Sequence, residues 1–111
     1  MASNDNRRRE IGRFPIPGTN AVTIVTVSYP TINGLRRVYS VSAQPTTFEA
    51  WDHGTIAHYV PSEGYRMTIE ESPRYSARRL DALAADPAVR AAAERMHARI
   101  LADRGIVGGV E

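Results

Sequence analysis

Residues 22–43 read VTIVTVSYPTI-NG-LRRVYSVSA, two β-branched runs on either side of Asn33–Gly34. Asn-Gly supplies the two left-handed positions of a type I′ turn, the turn that matches the twist of paired strands. A two-residue turn there predicts a hairpin pairing Ile32 with Leu35, Ser28 with Tyr39, Thr26 with Val41 and Ile24 with Ala43. Side chains alternate across a sheet. One face then carries Val22, Ile24, Tyr39, Val41 and the Ile32–Leu35 pair, and the other carries Val25, Val27, Tyr29 and Val38. In this register the hairpin is apolar on both faces and needs two covers. Pro30 has no ladder donor, so the hairpin tip is expected at an edge or beyond the sheet.

A second hairpin is expected from TIAHYV (55–60) and YRMTIE (65–70), joined by Pro61-Ser-Glu-Gly64. Pairing Val60 with Tyr65, His58 with Met67 and Ile56 with Ile69 gives one largely apolar face, with His58 in the core. The other face carries Thr55, Ala57, Tyr59, Arg66, Thr68 and Glu70, the alternation of a half-buried antiparallel pair. Residues 44–54 read as a connector with a short strand over 47–51, where Phe48 and Trp51 are expected to fill the core.

The last third is helical. Ser72–Pro73 is a start signal, a hydroxyl cap followed by proline at the first helical position, for a helix reaching about Ala85. Asp86–Pro87 repeats the signal for a second helix ending near Gly105. On it Val89, Ala92, Ala93, Met96 and Ile100 fall within an arc of about 100°, a narrow apolar stripe for close packing. The order ββββαα predicts an α+β domain: a four-stranded antiparallel sheet from two β-hairpins, followed by two C-terminal helices packed on one face. The expected organisation is a polar, arginine-rich arm over residues 1–13, one domain over 14–105 and a short glycine-rich tail over 106–111.

With 111 residues the chain suits one domain, burying roughly two-thirds of the surface its unfolded form exposes. No apolar run approaches the ~20 residues of a membrane span. The N-terminal charges precede no apolar segment, unlike a secretory signal, and a cytoplasmic location is expected. There is no cysteine, hence no disulfide framework, thiolate nucleophile or cysteine-based zinc site. All 14 basic residues are arginine. Guanidinium forks suit phosphate and carboxylate, although GC-rich coding, which also favours the abundant alanine, produces the same bias.

Few residues are arranged for chemistry. Glu49, Asp52, His53, His58 and Glu63 are the only candidates for a metal or acid–base site, and their spacing does not converge on one face. Glu94 and His97 have ordinary helix-neighbour spacing. Nucleophile-elbow and glycine-rich phosphate motifs are missing. No catalytic residue, cofactor or metal is therefore expected.

Two binding readings remain. In the first, the chain is a non-enzymatic homo-oligomer or accessory subunit of an assembly. It then acts through the arm and an uncovered sheet face of Val25, Val27, Tyr29 and Val38, since contiguous apolar patches mark partner sites. In the alternative it binds nucleic acid through Arg36, Arg37, Tyr59, Arg66 and the arm, because arginines interleaved with aromatics on a sheet hold single strands by phosphate contact and stacking. A metal-dependent enzyme using residues 49–63 ranks third.

Overall fold

The register of the first hairpin follows the burial of one face. The structure, a computed structural model, describes residues 7–30 and 37–106. Strand β2 (Val22–Ser28) pairs antiparallel with β3 (Val38–Trp51), with Ser28 opposite Ser40, Thr26 opposite Ser42 and Ile24 opposite Gln44. This is one residue away from the register of a two-residue Asn33–Gly34 turn; that turn and the Ile32–Leu35 pair lie outside the described residues. A slip of one residue flips every side chain of a strand. It gathers Val25, Val27, Tyr29, Tyr39, Val41 and Ala43 on one face, all buried. Thr26, Ser28, Ser40, Ser42, Gln44 and Thr46 fall on the other. The hairpin is amphipathic, and the expectation of two apolar faces is corrected.

The expected second hairpin, by contrast, does not form. Strand β4 (Gly54–Tyr59) folds back on the C-terminal half of β3, from Trp51 opposite Gly54 to Thr46 opposite Tyr59. Strand β5 (Tyr65–Glu71) pairs with the N-terminal half, from Ala43 opposite Tyr65 to Val38 opposite Glu71. Because β2 holds the opposite edge of β3, β4 and β5 lie end to end along one edge, separated by a 3-10 turn at Pro61–Glu63. Pro45 explains the break. In an antiparallel ladder a residue's N–H and C=O point the same way, and the Pro45 carbonyl accepts from Val60 N–H at 2.9 Å. Its missing donor therefore falls where the edge strand leaves the ladder.

Gly64 makes the rejoining possible. A Cβ there would stand 2.5 Å from the Ala43 carbonyl oxygen and 3.0 Å from Gln44 Cγ. Gly64→Ala is expected to cost about 1–3 kcal/mol, the usual penalty of overpacking. Urea unfolding checks this; an unchanged midpoint would mean that the joint has room the backbone does not show.

Residues 8–13, expected in an arm, belong to strand β1 (Arg8–Pro15), which pairs with β2 and carries a bulge at Ile11. The five strands form one antiparallel sheet, with α1 (Ala77–Ala84) and α2 (Pro87–Asp103) on its apolar face, so the α+β expectation holds. Leu80 and Leu83 of α1 meet the strand valines, as do Val89, Ala93, Met96 and Ile100 of the α2 stripe. The α2 start falls where Asp86–Pro87 places it, Asp86 accepting from Ala88 N–H at 2.8 Å. Helix α1 starts later than Ser72–Pro73 suggests. Ser72 is tied to the sheet, its N–H donating to Arg37 O and its carbonyl accepting from Tyr29 Oη. Ser76 caps the helix instead, accepting from Arg79 N–H at 3.1 Å. No helix among the described residues is long and apolar enough to cross a membrane.

His97 ties α2 to β2. Its Nδ1 lies 2.8 Å from Thr23 Oγ1, its ring stacks on Phe14, and burial pushes the imidazole below its ordinary 6.5. The unfolded chain therefore takes this proton first as pH falls. The stability contributed by neutral His97 is complete above 6.5 and is lost as pH drops toward the lower folded value. Glu70, held below the carboxylate range by its hydrogen bonds to Arg79, loses its contribution only at more acidic pH. Melting temperature is thus expected to fall between about pH 7.5 and about pH 5.5, and His97→Gln should flatten that decline. An equal decline in the variant would assign the effect to another group.

Candidate functional site

The face of the sheet away from the helices is lined with hydroxyls and amides. Helix-side contacts use Arg9, Phe14, Thr23 and Tyr39. Alternation therefore places Arg8, Glu10 and Arg13 of β1 on the open side with Ile24, Thr26 and Ser28 of β2. Beside them lie Ser40, Ser42, Gln44, Thr46 and Phe48 of β3, then Tyr59 of β4 and Arg66 of β5.

This face is concave. Ile24, Ser40 and Thr46 are only 6%, 2% and 1% exposed although no helix covers them. The β1 bulge, and another between Tyr39 and Ser40 of β3 and their β5 partners, add local twist. Side chains reach across it: the guanidinium of Arg13 on β1 lies over the ring of Phe48 on β3, 5.1 Å from its centre, across Ile24. Three concavities of about 440, 320 and 270 Å³ adjoin there. The first shares Arg8, Ile24, Thr26 and Tyr59 with the second, and Ser42, Gln44 and Arg66 with the third. Together they make one trough across the strands.

Its charge is mostly positive. Arg13 is held by Glu10 at 2.8 Å, and this hydrogen bond raises the guanidinium pKa further. Arg7 stands at one end, 4.7 Å from the centre of the Tyr75 ring. Arg8 and Arg66 make no ion pair among the described residues, so their forks are available to a ligand. Glu10 and Glu71 are the acidic residues whose register places them on this side. Tyr59 and Phe48 expose ring surface, 46% and 36% respectively.

The expected site residues divide. Tyr59 and Arg66 meet in the trough. Arg37 is exposed away from it, its guanidinium 3.4 Å from the Pro73 carbonyl, and Arg36 lies outside the described residues. Val25, Val27 and Tyr29 are core residues under the helices, so the uncovered face expected of them does not exist; Val38 is half-buried on the other side of the sheet. Phe48 and Trp51 do not fill the core: Trp51 is 58% exposed at the β3–β4 turn. His58 is exposed as well, its Nε2 2.7 Å from Glu49 Oε1, because β4 runs past the helices. Glu63 pairs with Arg104, and no cluster of three metal-ligating side chains occurs among the described residues.

Arg8 and Arg13 were expected only as members of the arginine-rich arm, and the hydroxyl floor was not singled out by the sequence reading. The floor had a visible signal, since Thr26, Ser28, Ser40 and Ser42 alternate with valines and tyrosines. No family model matches this chain, and no curated protein or solved structure matches it.

Proposed function

We propose that the protein binds single-stranded nucleic acid along the open face of its sheet. The observation that carries this reading is the continuous trough in which Arg8, Arg66 and Tyr59 converge over a floor of hydroxyls. A trough crossing several strands suits a linear polymer better than a compact metabolite. Arginine forks bind phosphate in two-pronged fashion. Exposed rings stack on bases without regard to sequence, and Tyr59 is placed to do so. Thr26, Ser28, Ser42 and Gln44 offer donors and acceptors to sugars and base edges.

Fluorescence anisotropy with a labelled oligo-dT and an oligo-U of about 12 nucleotides, within the range one sheet module covers, tests this reading. Both are expected to bind, and affinity should fall with salt at a log–log slope of at least about −1.4, or roughly −0.7 for each of two phosphates neutralised. A duplex of equal length should bind more weakly, because its bases cannot reach Tyr59. No binding of either single strand at low salt would end the proposal.

A further inference from the structure

We infer that a second face, the groove between β5 and α2, docks an extended acidic segment of a partner protein, which adds a strand to β5. β5 pairs with β3 along one edge, and its other edge meets no strand among the described residues. An unpaired edge is a template for another chain, and proteins usually blunt it. Here the edge adjoins a groove of about 490 Å³ on the helix side, larger than any single concavity of the trough. Its floor is apolar, built from Tyr65, Met67, Ala92 and Met96, with Met67 40% exposed. Methionine adapts its shape to varied partners.

The wall fixes the sign of the partner's charge. Arg95 and Arg99 of α2 line the groove, and no acidic residue does. Arg95 makes no ion pair among the described residues, and Arg99 lies over the Tyr65 ring, 4.7 Å from its centre. Tyr65 is itself braced by its hydroxyl donating to Asp103. An open strand edge beside a helix-walled groove is the geometry of strand addition: backbone groups give affinity, and alternate side chains enter the groove. Successive residues of an added strand point to opposite faces. The segment that fits therefore carries apolar residues and carboxylates by turns at every second position, where both enter the groove, the first against the methionines and the second against Arg95 and Arg99.

The test uses three fluorescein-labelled probes: a peptide repeating Leu-Thr-Glu-Thr, which sets leucine and glutamate on one face, one repeating Leu-Thr-Lys-Thr, and the glutamate peptide N-methylated at every second backbone nitrogen. The glutamate peptide is expected to bind. The lysine and N-methylated peptides should bind at least about tenfold more weakly, the first by like-charge repulsion and the second by loss of strand pairing. Arg95→Glu/Arg99→Glu should reverse the preference in favour of the lysine peptide, a gain that a misfolded variant cannot show. Amide shifts in the glutamate titration should map to β5 and α2. Absence of binding, indifference to N-methylation, displacement by oligo-dT, or occupation of the edge by a second copy of the chain would each overturn the inference.

Discussion

Replacing Tyr29 by alanine is expected to destabilise the fold by about 3–5 kcal/mol, the cost of truncating a fully buried aromatic. The ring is 1% exposed and packs against Tyr39, with centres 4.7 Å apart, and against Tyr75 at 5.7 Å. Its hydroxyl donates to the Ser72 carbonyl at 2.7 Å, which fixes the exit from β5 toward α1. Neighbouring Tyr39 Oη accepts from Ser76 N–H at 2.9 Å, so the tyrosine pair positions the cap of α1 as well as filling the core. Domains of this size hold about 5–15 kcal/mol in all, so the variant should lose a large part of its cooperative transition. Tyr29→Phe, which removes only the hydrogen bond, should cost about 1 kcal/mol. Thermal and urea unfolding of the two variants measure the difference. A Tyr29→Ala protein with unchanged stability would return Tyr29 to the surface and restore the first hairpin as a partner site.

The second large effect is on binding, with stability unchanged. Arg8→Ala/Arg66→Ala removes two of the three trough cations, Arg7 being the third, that no carboxylate among the described residues holds. The salt slope for oligo-dT should become shallower by about 1.4, because two fewer counterions are released on a single strand. Tyr59→Ala should instead leave the slope intact and weaken binding by about 1–3 kcal/mol, or roughly 5–150-fold, the range for one stacked base. Arg37→Ala is the control, since Arg37 is exposed away from the trough. If the Arg37 variant lost as much affinity as the double variant, binding would depend on net charge alone.

The α+β class, the α2 stripe and the Asp86–Pro87 start were legible because each rests on a local rule with no strong competitor. The register was not. A two-residue Asn33–Gly34 turn implies a pairing one residue from the observed β2–β3 register, which instead gathers the buried Val25, Val27, Tyr29, Tyr39, Val41 and Ala43 on one face. The same error hid the hydroxyl floor, because the wrong pairing scattered Thr26, Ser28, Ser40 and Ser42 among apolar neighbours. β3 was ended at Ala43 and its second half read as a connector with a short strand over 47–51, because Pro45 lies where the partner at that edge changes from β5 to β4. β1 was missed because its outward residues, Arg8, Glu10 and Arg13, are those of an edge strand and of a polar arm alike. Tyr59 and Arg66 were placed side by side for a hairpin that does not form; both line the trough because β3 joins them, through Thr46 beside Tyr59 and Ser42 beside Arg66.

The central claim is that the open face, and not the helices, carries the ligand. An amide chemical-shift titration of the whole chain with oligo-dT tests it most directly. Perturbations are expected at Thr26, Ser28, Ser42, Gln44, Tyr59 and Arg66, with Leu80, Ala93 and Ile100 in the helices unmoved. Shifts confined to α1 and α2, or none at saturating oligonucleotide, would contradict it.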